Sequence, residues 1–177
     1  MNRLRKDEKG FTLPELIVAM AISSLVVTAA TGATFQILNS GKASNYSVAY
    51  RQVQAAGYWV SQDALQAQAV DPGPVQDAGF PLVLEWTDWD NNEYSINYTL
   101  EDMDSGDLKY LQRQESVNGT PTETFPVGQH IFVDADPGQP SNCVWDDGER
   151  VLTLTVMAQM GQQTATRTYE VKPRPLS

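Results

Sequence analysis

Cysteine and histidine are almost missing from this sequence, cationic side chains are scarce, and one long stretch carries no charge at all. There are 12 Lys and Arg against 22 Asp and Glu, a net charge of −10. A body this acidic repels phosphate backbones, which argues against unaided nucleic-acid binding. The one cysteine, Cys143, cannot form an internal disulfide, so it reads as a small buried or half-buried residue, and the fold must rest on a packed core. The one histidine, His130, excludes any metal site built from a histidine cluster, and its sequence neighbours make it a residue at the start of a strand. No Gly-x-Ser-x-Gly elbow and no glycine-rich phosphate loop occurs. With no catalytic constellation and no cofactor motif, the chain does not read as an enzyme. At 177 residues it has room for one modest domain and an attached segment.

The uncharged stretch runs from Leu16 to Leu38, and the next charge is Lys42. Those 23 residues suffice for a helix to cross a hydrocarbon core of ~30 Å. Ahead of it, Arg3, Arg5, Lys6 and Lys9 outweigh Asp7 and Glu8 by +2, so the rest of the chain stands at −12. Basic residues before a span keep that end in the cytoplasm and send the remainder across.

Three readings of this N-terminus compete. A secretory signal peptide would be cut at a small-x-small site, for which Val27-Thr28-Ala29 or Thr31-Gly32-Ala33 could loosely serve. A plain membrane anchor would need no cleavage. Neither accounts for Glu15, a lone carboxylate set directly against the apolar run. A charge there is costly unless paired, and acids within spans mark functional sites by default.

The segment "KGFTLPELIVAMAI", Lys9 to Ile22, resembles the start of type IV pilin and pseudopilin precursors. Gly10 stands where that family ends its basic leader, Phe11 where the mature chain begins, and Glu15 where the hydrophobic helix carries its acid. The resemblance implies that a prepilin peptidase cuts between Gly10 and Phe11 and that the new amino group of Phe11 is methylated. It further implies that Glu15 pairs with that cationic amine on a neighbouring subunit when a filament forms. Partners implied are other pilin or pseudopilin subunits, the peptidase, an inner-membrane assembly platform, and the membrane before assembly. The expected path runs from a single-pass precursor in the cytoplasmic membrane to an extracytoplasmic pilus or pseudopilus. Pro14 departs from the commoner aliphatic residue, yet proline is tolerated in a first helical turn.

Between Pro14 and Pro72 there is no proline, and Tyr46, Tyr50, Val53, Gly57, Val60, Ala64 and Ala67 recur at helical steps. A helix is therefore expected from about Pro14 to Gln68, with Gly32, Gly41 and Gly57 as weak points; a flexible linker over Gly32 to Ser47 is the competing reading. "VDPGPVQDAG", Val70 to Gly79, ends the helix as a loop. Strands then follow at Phe80–Asp88, Glu93–Glu101 and Leu108–Ser116, a short one at His130–Ala135 between loops, and a C-terminal pair at Arg150–Gln159 and Thr164–Pro173 turning at Gly161. The fold class is α+β, a long N-terminal helix packed on an antiparallel sheet. Its parts are a leader over 1–10, a hydrophobic transmembrane and assembly helix over 11–40, an amphipathic continuation over 41–69 and a β-rich domain over 70–177.

Two Asp-rich turns, "DWDNNE" and "DMDSGD", offer Asp88, Asp90, Asp102 and Asp104 as weak calcium ligands. Neither has the full calcium-loop spacing, and tight turns demand the same residue types. Asp136–Glu149 reads as a third acidic loop with Trp145 as an anchor. The helix after the span and the final hairpin are also similar to W-type minor pilins and J-type minor pseudopilins, which implies a minor subunit. The competing function is a membrane-tethered or secreted β-rich module in which Trp86, Trp89 and Trp145 contact a carbohydrate or another surface ligand.

Overall fold

A computed structural model describes residues 11–74, 77–104, 106–133 and 141–174. The leader, including Gly10, and the 136–140 part of the third acidic loop lie outside the described residues. The chain divides into two compact units, the first ending at Gly41 and the second spanning Lys42–Ser177.

Helix α1 covers Leu13–Gln66 without interruption, so Gly32 to Ser47 is helix and not linker. Thr12 is its N-cap: the Thr12 carbonyl accepts the first helical bond from Leu16, and the Glu15 carboxylate reaches back to the Thr12 N–H at 2.9 Å. This is the reciprocal arm of a capping box, with Pro14 lodged in the first turn where no intrahelical N–H is required. Within the apolar stretch the hydroxyls of Ser24, Thr28, Thr31 and Thr34 each donate to a carbonyl three or four residues back. These four hydroxyls are thereby satisfied within the helix and need no solvent.

In the second unit α1 buries Ala49, Val53, Ala56, Gly57, Val60, Asp63 and Ala64, a stripe at three- and four-residue steps. Tyr46, expected on that stripe, is 48% exposed and stacks on Tyr50 instead. Around the stripe the described residues form one antiparallel sheet of β1 (Ala69–Asp71), β2 (Leu82–Thr87), β3 (Glu93–Asp102), β4 (Leu108–Val117), β5 (Thr120–Phe132), β6 (Asn142–Asp146), β7 (Val151–Met160) and β8 (Gln163–Val171). The order is β1-β2-β3-β4-β5-β7-β6, with β8 on β7. The C-terminal hairpin thus joins the first strands in a single sheet, through a β5–β7 contact at Ile131 and Ala158. Alternation decides which side chains face the helix: Leu82, Leu84, Ile96, Tyr98, Leu111, Leu152, Leu154 and Val156 form the core with the helical stripe. Gly57, expected as a weak point, is where the helix meets the Tyr169 ring. A Cβ at that position would lie 2.1 Å from the ring.

Four strand expectations need correction. β5 starts at Thr120, ten residues before the expected His130; Pro121, Pro126 and Gly128 hide it, because they sit beside register shifts against β4 where a ladder N–H is dispensable. His130 accordingly lies near the end of β5 with φ of 59°, not at a strand start. β1 occupies the beginning of the expected Val70–Gly79 loop, pairing with β2 from Ala69 to Asp71. β6 occupies part of the expected third acidic loop, its Cys143 buried opposite Leu154.

Candidate assembly site on the N-terminal helix

From Phe11 to Leu38 the large apolar side chains are exposed on every side of the helix, Phe11 at 90%. An 18-residue window of this helix has a mean hydropathy of 2.0, and by length and composition the helix can cross a membrane. Water is the wrong surrounding for such a surface, since each apolar Å² left in water forfeits about 25 cal/mol. Lipid or the helices of neighbouring molecules must cover it.

Glu15 is the one acid on this surface. Its Oε2 accepts from the Thr12 N–H and, at 2.8 Å, from the Thr12 hydroxyl, and among the described residues no cation pairs with it. Pro14, Glu15, Val18, Ala19 and Ile22 line a shallow groove of about 370 Å³, so the carboxylate opens onto an apolar face. The cap gives it two donors and no counter-charge, which leaves the acid available for a cation from outside.

A family profile described as the prokaryotic N-terminal methylation motif matches residues 5–31. This N-terminal match, together with the long apolar helix, fits a type IV pilin-like precursor. The motif and the apolar helix support a membrane-anchored precursor, and the motif points to a structural subunit and implies assembly with other pilin subunits and processing by a prepilin peptidase. No match is found among curated proteins or among solved structures.

The other predicted residues fall elsewhere. Asp88 is engaged by the turn it belongs to: Oδ1 accepts from the backbone N–H of Asp90 at 2.8 Å and of Asn92 at 2.9 Å, and Oδ2 from the Asn92 side chain at 3.0 Å. Those bonds, the Asn92 ones foremost, hold its carboxyl below the usual range. Asp90 lies exposed at the same tip. Asp102 pairs with Lys109, and Asp104 is an exposed residue of the next turn. The two turns do not converge, and among the described residues no group of three or more His, Cys, Asp or Glu is placed to hold a metal.

Sequence reasoning missed a buried charge. Asp63, on the core stripe of α1, accepts from the Tyr98 hydroxyl and from Arg113 Nε at 2.8 Å and Nη2 at 3.2 Å. Arg113 also meets Glu115 at 2.9 Å, and its guanidinium lies 5.4 Å from the Trp59 ring and 5.7 Å from the Phe125 ring. Burial disfavours the Arg113 charge, but the Asp63 and Glu115 carboxylates outweigh it and hold the group protonated above its ordinary range. Burial, and then the charge of Asp63, push the Tyr98 hydroxyl up. The available signal was an aspartate in phase with Val53, Val60 and Ala67, on the face that has to be dry.

Proposed function

We propose that this chain is a pilin-like structural subunit, minor in abundance, of a type IV pilus or a type II secretion pseudopilus. In this reading a peptidase cuts between Gly10 and Phe11, Phe11 is N-methylated, and the inner-membrane platform lifts the subunit into a filament. Cleavage creates an ammonium at Phe11, four residues from Glu15. An N-methylated amine keeps its proton, so a neighbour's terminus can supply the counter-charge that Glu15 lacks. In an apolar bundle, removing one partner of such a pair costs about 3–5 kcal/mol. An uncut precursor has no amine at that place and should not assemble.

The observation that carries the proposal is a lone carboxylate, capped but without a counter-charge, on an otherwise apolar exposed helix. The minor role is supported by the β-rich acidic domain and by the softer similarity to minor subunits. Mass spectrometry of the exported product tests the processing step. A first residue of methylated Phe11 is expected, whereas a chain still beginning at Met1, or one beginning at Ala30, overturns the reading.

A further inference from the structure

The β2–β3 hairpin carries a feature that filament assembly does not use. Gln68, Glu85, Trp86, Glu93, Tyr94 and Ser116 are among the residues lining a groove of about 700 Å³. That volume lies inside the ~300–1,000 Å³ typical of small-molecule sites. Trp86 and Tyr94 are direct cross-strand partners, their rings parallel within 4° at 5.3 Å, and both are only half-buried. Beyond them, at the hairpin tip, Trp89 is 92% exposed.

The rim is braced. Asp88 closes the β2–β3 tip through the three bonds described above. Asn118, in the β4–β5 turn, donates to Asn92 Oδ1 at 3.1 Å and accepts the Glu93 N–H at 2.9 Å, so the two turns that frame the groove are tied together. A site held in this way loses little conformational freedom on binding.

The lining chemistry selects the ligand. The Glu85 and Glu93 carboxylates are exposed and in no ion pair among the described residues, and as carboxylates they only accept hydrogen bonds. Gln68 accepts the Thr87 N–H through Oε1 at 3.3 Å, which leaves its amide nitrogen as a donor. Among the described residues no Lys or Arg lines the groove, and the chain carries −10 overall, so phosphorylated, sulfated or uronate polymers are repelled. The complementary molecule has many hydroxyl donors, flat C–H faces to lie on indole rings, and no negative charge.

We propose that this groove binds a neutral oligosaccharide, with the Trp86–Tyr94 pair as its stacking surface, Glu85, Glu93 and Gln68 as its hydrogen-bonding groups, and Trp89 at the adjoining hairpin tip as an outer stacking surface for a chain that extends past the groove. The site is independent of the assembly role. The test is a titration of the full mature chain, kept in a zwitterionic detergent free of sugar, followed by tryptophan fluorescence. The probes are hexamers of β-1,4-linked glucose, α-1,4-linked glucose and mannose, an oligouronate of equal length, and hexalysine.

Saturable binding of at least one neutral hexamer is expected, with the oligouronate at least about tenfold weaker and hexalysine unable to compete. Trp89→Ala and Glu93→Gln change exposed side chains, so both should fold; Glu93→Gln, within the groove, should weaken binding by about tenfold, and Trp89→Ala, at the tip beyond it, by a smaller factor of about threefold. Trp86→Ala is read only if its circular dichroism matches the parent; Trp86→Tyr, which keeps a ring, should bind more tightly than it. Failure of every neutral hexamer to saturate overturns the proposal, as does hexalysine binding in their place or unchanged affinity in the Trp89→Ala/Glu93→Gln double variant. Glu15→Ala should leave sugar binding intact and Trp89→Ala should leave filament incorporation intact, so failure of one reading is distinguishable from failure of the other.

Discussion

One helix carries two acids in apolar surroundings, and the two are treated differently. Asp63 belongs to the part of α1 that packs on the sheet, and its partners, Tyr98 and Arg113, come from β3 and β4 of the same chain. Glu15 belongs to the part whose apolar surface is open, and its partner is only Thr12, the cap one turn away. A buried carboxylate survives when its charge is compensated, and Asp63 is compensated on folding. Glu15 meets no cation among the described residues. In the proposed reading its compensation comes from another molecule, which would be the difference between a residue that completes a fold and one that completes an assembly.

The sharpest way to break this comparison is to delete each acid in turn. Glu15→Ala should abolish incorporation into filaments, scored by shear-released material, while the melting temperature of the sheet domain stays at the parent value. Domain unfolding in this variant, or undiminished incorporation, would contradict the division of labour.

Next in size is the Asp63 pair. Arg113→Met leaves Asp63 buried with only the Tyr98 hydroxyl, and it should cost about 3–5 kcal/mol of unfolding free energy in a denaturant titration. Adding Asp63→Leu removes the stranded charge, so the double variant should recover much of the loss. A double variant as unstable as the sum of the singles would mean that Arg113 acts through its stacking on Trp59 and Phe125 and not through its charge.

These two acids also show how far the sequence could be read. Glu15 was legible because nothing else in 23 residues is charged, so one acid stands out and the Gly-Phe junction beside it adds a second coincidence. Asp63 was not, because seven apolar or small residues at helical steps already explained its stretch without it. The regular strands β2, β3, β4, β7 and β8 were visible from alternation. β5 was hidden, since Pro121, Pro126 and Gly128 are strand breakers everywhere except beside a register shift, and register is a property of the pair and not of one strand. The groove at Trp86 and Tyr94 follows from the same kind of pairing: eight residues apart in sequence, the rings meet because the hairpin register sets them opposite.

A smaller effect is expected at Gly57. A methyl group there would sit 2.1 Å from the Tyr169 ring, whose hydroxyl donates to the Val53 carbonyl at 3.2 Å. Gly57→Ala gains helix propensity but must displace that ring, so a net loss of about 1–3 kcal/mol is expected from overpacking. Gly32→Ala, in the open part of the same helix, meets nothing within 4 Å and should be neutral or slightly stabilising in detergent. Equal effects at the two glycines would remove the distinction between a packed and an open helical surface.

The smallest effect concerns Cys143, whose environment is closed on all sides where that of Glu15 is open. Burial pushes its thiol up to about 12 from an ordinary value of 9.0. The unfolded thiol ionises first, so the stability that the neutral buried thiol contributes is complete below pH 9.0 and is lost progressively as the pH rises toward about 12. At pH 10 the loss should be about 1 kcal/mol relative to neutral pH, and it should vanish in Cys143→Ala once the offset of that variant is subtracted. In the folded chain at pH 8, labelling by a thiol-specific disulfide reagent should be slow and should accelerate with denaturant along the unfolding curve. Fast labelling without denaturant would place the thiol at the surface and remove β6 from the core, because the Cys143 N–H donates to the Ala78 carbonyl at 2.8 Å and anchors that edge of the sheet to the loop before β2.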